Sequence, residues 1–214
     1  MQVYTAPSGP LFTNSYLVVC EKTKEAVVID PAPGSFHPIS RKIQKHHLKL
    51  CGLWLTHSHW DHLGDMVYFK RAYPVPLSVH PADQENVKRP GADGLPCPFC
   101  IEGVQPDSLL VEGEILEVGA LRFLVIHTPG HTPGGVCYYE AAEKGLFTGD
   151  TLFKGSIGNL SFSMSEPEKM WHSLEKLSGL PKETRVYAGH GESTTLEEES
   201  WLDRAKEIFG NSSG

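Results

Sequence analysis

The stretch THSHWDHLG, Thr56–Gly64, constrains this chain most: it sets three histidines and an aspartate into the six positions His57–His62, directly after the apolar run LCGLWL. Such a run reads as a largely buried strand, and imidazoles or carboxylates at its end cannot be buried without partners. The fold must therefore bring this strand end to an edge where the polar groups meet solvent, other side chains or an ion. His57 and His59, two apart, point the same way in an extended segment. Asp61 and His62 fall where the chain turns into a helix, so the stretch aims two sets of groups in different directions. Taken alone, the cluster also reads as solvent-facing polar residues, with Asp61 capping a helix that starts at His62.

The same context recurs three times. His131 in HTPGHTPGG, Asp150 in LFTGD and His190 in YAGHG each follow an apolar strand and lie beside glycine. Any one of them would pass as a structural loop residue; their joint appearance is what favours a shared site.

The remaining pattern is one of short strands and helices. NSYLVVCE (14–21) and AVVI (26–29) form a predicted hairpin that ends in the DPAPG loop, and a helix is predicted over 38–47. A helix carrying Met66, Val67 and Phe69 follows the cluster, then a strand at 75–80, a short helix, and a long loop over 91–107 that contains Cys97 and Cys100. Strands around Leu121–Val125, Val136–Tyr139 and Leu146–Thr148 precede a helix with Ser165 as its cap and Met170, Leu174 and Leu177 on one face. A strand then runs into His190, and a final helix is predicted over 194–209.

At 214 residues the chain suits one core, hence a single domain over 1–214. A net charge of -7 makes nucleic acid and anionic lipid poor partners. YLVVC at 16–20 is far too short to cross a bilayer, and no basic residue precedes Lys22, so the expectation is a soluble chain without a secretory signal. Five cysteines with only one close pair, Cys97 and Cys100, fit a reducing cytoplasm better than a disulfide framework.

HSHWDH resembles the HxHxDH pattern of the metallo-β-lactamase-fold hydrolases, and His131, Asp150 and His190 stand in the order of that family's remaining ligands. The resemblance runs from the IDP turn at Asp30 to the final AGHG. It implies an α/β (α+β) fold, an αββα sandwich of two mixed sheets packed face to face with helices on both outer faces. It also implies two divalent metals: one held by His57, His59 and His131, the other by Asp61, His62 and His190, with Asp150 bridging. Asp30 resembles the family's aspartate that orients a histidine ligand. Imidazole and carboxylate donors suit zinc first, iron or manganese otherwise. The bridging Asp150 stands where some β-lactamases of this fold have cysteine, and His59 where flavodiiron oxygen reductases have glutamate.

IDPAPG, HTPGHTPGG, LFTGDTLFKGSIG and AGHG are most similar to the glyoxalase II group, the hydroxyacylglutathione hydrolases, and to its short members without a C-terminal domain. The resemblance implies a thioesterase acting on small acyl thioesters such as S-2-hydroxyacylglutathione, with Asp61, His57 and Asp150 catalytic, as a monomer or small homo-oligomer. GNLS at 158–161 departs from the group's common GRTD, and no room remains for the helical domain that binds glutathione, so that carrier is not implied. Phe153, Lys154, Asn159 and Phe162 are the candidates for substrate contact.

Three other readings compete. Persulfide dioxygenases resemble the same family and use one iron at positions matching His57, His131 and Asp150; lactonases and phosphodiesterases share the ligands; a binding module would use the metals only to hold loops. Cys97 and Cys100 read as an ordinary loop pair that forms a local disulfide or lines the mouth of the site. His127 reads as a hydrogen-bonded core residue, and His37, His46, His47, His80 and His172 as structural or surface residues.

Overall fold

The computed structural model describes residues 1–210. Strands β1 (Gln2–Ser8), β2 (Thr13–Val19), β3 (Glu25–Ile29), β4 (Lys49–Trp54), β5 (Leu77–Val79) and β6 (Ser108–Leu109) form one sheet in chain order. It is antiparallel from β1 to β3 and parallel from β3 onward. The parallel pairs need crossovers, and the helices supply them: α1 (Phe36–Lys45) joins β3 to β4, and α2 (Trp60–Leu63) and α3 (Met66–Ala72) join β4 to β5. A short 3-10 turn (Pro81–Asp83) and α4 (Gln84–Lys88) follow.

The second sheet contains β7 (Ile115–Val118), β8 (Leu121–His127), β9 (Val136–Glu140), β10 (Gly145–Gly149), β11 (Arg185–Ala188) and β12 (Thr194–Thr195), ordered β12-β11-β10-β9-β8-β7. Only β10 and β11 pair in parallel, connected through α5 (Pro167–Ser178). A 3-10 turn (Leu202–Arg204) and α6 (Ala205–Phe209) close the described chain.

Strand alternation sorts the side chains into layers. In β4 and the residue after it, Leu53 and Leu55 face α1 and α3 while Trp54 enters the space between the sheets. There Trp54 meets Phe123 and Tyr138, with ring centroids 5.3 and 5.2 Å away. Val27, Ile29, Val125 and Phe147 complete this central layer, and Met170, Leu174 and Leu177 of α5 cover the outer face of the second sheet with Leu146 and Val186. The four layers are the αββα sandwich, and the fold is α+β. No helix among the described residues is long and apolar enough to cross a membrane.

The sheets are also hydrogen-bonded to each other at one end. The Asn14 amide donates to Gly189 O at 2.7 Å and the Val136 amide to Thr56 O at 2.8 Å. The Tyr16 hydroxyl donates to Ala188 O and the Tyr138 hydroxyl to Leu55 O, each at 2.6 Å. This seam holds β2 to the end of β11 and the end of β4 to the start of β9.

Several expectations need correction. The final helix over 194–209 is instead a strand, a turn segment, a 3-10 turn and a five-residue helix. Thr194 pairs with Val186, and its hydroxyl lies 2.8 Å from Glu198 Oε2 and 2.6 Å from Glu199 Oε1, which favours the turn over a helix crowded with like charges. Ser165 does not cap α5: Glu166 occupies the cap position, and the Ser165 hydroxyl donates to His131 O at 2.9 Å. α2 begins at Trp60, so Asp61 lies within its first turn and caps nothing. β1 escaped the sequence reading because it is a partly exposed edge strand with weak alternation.

Candidate metal centre

Every chemistry-bearing residue singled out from the sequence arrives at the seam except the cysteines and Lys154. β4 delivers His57; the following turn delivers His59, Asp61 and His62; the β8–β9 loop delivers His131; β10 and β11 end at Asp150 and His190. Three overlapping groups result: His57, His59 and His131; His57, His62 and Asp150; Asp61, His62 and His190. Within each, the facing atoms lie within 4.8 Å of one another. Asp150 reaches into both outer groups, with Oδ1 3.3 Å from His62 Nε2 and Oδ2 3.5 Å from both His131 Nε2 and His190 Nε2.

The interior atoms are those a cation would need. His57 Nε2, His62 Nε2, His131 Nε2 and Asp150 Oδ1 are buried without hydrogen-bond partners, each normally costing about 1–3 kcal/mol. The outward ring nitrogens are paired: His131 Nδ1 donates to Asn159 O at 2.8 Å and His190 Nδ1 to Leu11 O at 3.1 Å. These partners place the proton on Nδ1 and turn the Nε2 lone pair inward, the arrangement seen in ligating histidines. The donor set of five imidazoles and two carboxylates fits a pair of divalent transition ions.

Asp30 organises the first half of the centre. Its carboxylate accepts from the Thr56 amide and hydroxyl, each at 2.7 Å, and from His62 Nδ1 at 2.9 Å. With its own proton committed to Asp30, the Thr56 hydroxyl accepts from His57 Nδ1 at 3.0 Å. Thus one buried carboxylate sets the tautomers of a histidine in each group. Asp61 is held by the Thr13 hydroxyl, which donates to Oδ2 at 2.6 Å. Asp83, buried, accepts from the Ser58 amide at 2.9 Å, the Thr132 hydroxyl at 3.0 Å and the Gly134 amide at 2.6 Å, locking the two histidine loops to each other.

The protein's own charges split the histidines. Burial holds His57 neutral, far below the usual imidazole range, and burial together with His131 lowers His59 to about 3. Burial also opposes charge on His62, but Asp61, Asp150 and Asp30 outweigh it and raise His62 well above the usual range. His190, raised to about 9 against its burial, is held by hydrogen bonds to Asp150 and Asp61. Burial resists ionisation of Asp61 and Asp150, yet His62 and His190 keep both ionised, Asp61 at about 2.

Close packing leaves no room for side chains at the strand ends. A Cβ on Gly189 would collide with Asp150 Oδ1 and His62 Cε1, and one on Gly158 with Asp150 O and the His131 ring. This is why glycine stands beside these ligands.

Of the proposed substrate contacts, Phe162 lies against the centre, its ring 5.4 Å from His59 and 5.6 Å from His131. Phe153 sits 5.9 Å from His190. Asn159 works through its carbonyl on His131, while its side chain accepts from Ser161. Lys154 is drawn away into an exposed ion pair with Glu192 at 2.8 Å. Cys97 and Cys100 are free thiols, so no local disulfide is formed; their loop approaches the centre through Ala92 and Asp93, which share a cavity lining with His59, and through Phe99, whose ring lies 5.5 Å from Trp60. His127 is half-buried, stacks on His80 and bonds to Pro133 O, apart from the centre. Thr13 and Asp83 were missed because each acts across a distant stretch of chain and carries no local motif; Thr56, inside the quoted stretch, was missed because its role depends on Asp30, 26 positions away.

Residues 8–190 match the metallo-beta-lactamase superfamily, and the chain belongs to it. Within that class, a Haemophilus influenzae protein named hydroxyacylglutathione hydrolase GloC is 33% identical over 198 residues, covering 88% of this chain and 90% of that one. The crystal structure of the BLEG-1 B3 metallo-beta-lactamase superposes with a TM-score of 0.87 at 31% identity, covering 98% and 100% of the two chains. That of TTHA1623 in a di-iron-bound form gives 0.80 at 35% identity, covering 92% and 97%.

Proposed function

We propose that the chain is a binuclear metal-dependent hydrolase of acyl thioesters. The observation that carries this reading is the paired arrangement itself: two complete groups of three donors with Asp150 reaching into both. His57, His59 and His131 would hold one ion and Asp61, His62 and His190 the other. Bound there, such a pair supplies Lewis acidity and lowers the pKa of a shared water to about 7.

The protein's own groups do the rest. Thr13 donates to Asp61 Oδ2 and fixes the carboxylate, whose other oxygen would orient the attacking water. Asp30, Thr56 and the Asn159 carbonyl take the outward ring protons of His62, His57 and His131 and keep their Nε2 atoms facing inward. Among the described residues no Lys, Tyr or Cys side chain is hydrogen-bonded to the seven, so a leaving group that needs no proton suits this centre best. A thiol, with its pKa near about 8.5, departs as the anion without one, whereas an alkoxide or amide anion does not. This favours thioesters over esters and amides, and the similarity to a protein named hydroxyacylglutathione hydrolase supports the same choice.

A single-iron persulfide dioxygenase is disfavoured because the second group, Asp61, His62 and His190, is intact. The test is elemental analysis of freshly purified protein joined to a substrate panel of acyl thioesters, a lactone, a phosphodiester, a β-lactam and a glutathione persulfide. Two ions per chain and thioester cleavage that Asp61→Ala abolishes are expected. A fully loaded protein that cuts no thioester, or one iron with oxygen uptake on the persulfide, refutes the reading.

A further inference from the structure

Beside His59 and Asp83 lies a cavity of about 160 Å³. Ala82, Ala92, Pro133 and Met164 give it apolar walls, and three carboxylates, Asp83, Glu85 and Asp93, border it. Among the described residues His59 is its only imidazole, and neither Lys nor Arg lines it.

Two features point to a ligand there. First, His59 alone of the five centre histidines has no outward hydrogen-bond partner among the described residues, whereas His57, His62, His131 and His190 all do. A ligating imidazole normally donates its second N–H to an acceptor, and the space beside this ring is the cavity. Second, the bordering carboxylates are already engaged. Asp83 accepts from Ser58, Thr132 and Gly134; Glu85 pairs with Arg89 at 2.6 Å; Asp93 accepts from Asn86 at 2.8 Å and the Leu95 amide at 3.0 Å. With Glu85 offset by Arg89, Asp83 and Asp93 form a fixed negative border rather than a set of free ligands, and they disfavour an anion.

We propose that this cavity seats the acyl arm of the substrate and selects a short, uncharged arm that carries an oxygen acceptor for His59 beside an apolar end. Size decides which arm enters. A cavity of about 150 Å³ holds a benzene-sized group, while drug-sized ligands need about 300 Å³ or more, so a peptidic thiol carrier stays outside. The choice of acyl arm rests on the hydrolase reading; the existence of the site does not.

The test uses metal-loaded protein and three thioesters of one neutral carrier, N-acetylcysteamine: mandelyl, acetyl and succinyl. Wild type is expected to favour mandelyl over succinyl at least tenfold in kcat/KM. Ala92→Phe and, from the opposite wall, Ala82→Phe fill the cavity and should each lower the mandelyl-to-acetyl ratio at least tenfold. Unchanged ratios in both variants, or succinyl cleaved as well as mandelyl, overturn the proposal. Mandelamide, titrated by NMR, reports the site without catalysis: at least tenfold weaker binding to Ala92→Phe supports it, and equal binding overturns it. Should no thioester be cut while mandelamide still discriminates, the hydrolase reading falls and the cavity site stands.

Discussion

Replacing Asp30 by asparagine isolates the group that governs both halves of the centre. The backbone at Asp30 has φ 52°, a left-handed conformation that asparagine also adopts, so the substitution changes chemistry more than geometry. The native carboxylate accepts three hydrogen bonds, and an amide can reproduce them in neither orientation. With its oxygen toward His62, its NH₂ faces the Thr56 amide, a donor against a donor in a buried site, costing about 1–3 kcal/mol of stability. With the amide flipped, the NH₂ faces His62 Nδ1. That drives the imidazole proton to Nε2, the atom turned toward Asp61 and Asp150. Loss of such an orienting partner weakens metal binding about 10–100-fold, equivalent to about 1.4–2.8 kcal/mol. The weakening should fall on the ion held with His62 and reach the other more mildly, through Thr56 and His57. Competition with a chromogenic chelator gives the two affinities, and urea unfolding of the metal-free protein gives the stability. Two wild-type affinities together with an unshifted midpoint would refute the role assigned to Asp30.

Other outcomes follow from the same geometry. Thr13→Val removes a hydrogen bond to an ionised carboxylate, worth about 1.5–3 kcal/mol, so kcat should fall about 10–100-fold with little change in KM. Gly189→Ala pushes a methyl group into Asp150 and His62, and elemental analysis should find the protein depleted of the ion that His62 binds. His62 and His190 carry protons at neutral pH without metal, so loading should release protons, seen by calorimetry in buffers of different ionisation enthalpy. Affinity should rise about tenfold per pH unit for each proton lost, the contribution of His190 ending near pH 9. For the metal-free fold the signs oppose. His190, raised to about 9, contributes stability that is complete below the unfolded value of about 6.5 and lost as pH rises through 9; His59, lowered to about 3, contributes stability lost as pH falls from about 6.5 toward 3. Its unfolding midpoint should therefore peak near pH 6.5, and a monotonic profile would contradict these assignments.

The seven centre residues were legible in the sequence because each follows an apolar strand, four of them crowd into one short stretch and the other three stand beside glycine, so local pattern and site coincide. The residues that tune them were not. Thr13 lies 48 positions from Asp61, and Asp83 sits 49 positions from Thr132, so only the folded chain brings them together. Local pattern also misled at 194–209, where apolar spacing fits a helix but pairing with β11 and the glutamate-bound Thr194 hydroxyl hold a strand and turn. The departure at GNLS marked the right loop for the wrong atom: the carbonyl of Asn159 serves the centre, and a carbonyl leaves no trace in residue identity.

The seam has a mechanical meaning. His57, His59, Asp61 and His62 belong to the first sheet's half of the chain, and His131, Asp150 and His190 to the second's. Ions shared between them would act as clasps across a line that otherwise holds by a few hydrogen bonds and the central apolar layer. Ligands that bind only the joined form add stability by mass action, about 4.1 kcal/mol at a thousand times Kd. Chelation should open this line first: amide exchange at Asn14 and Val136, which hydrogen-bond across it, would accelerate before exchange in the sheet interiors.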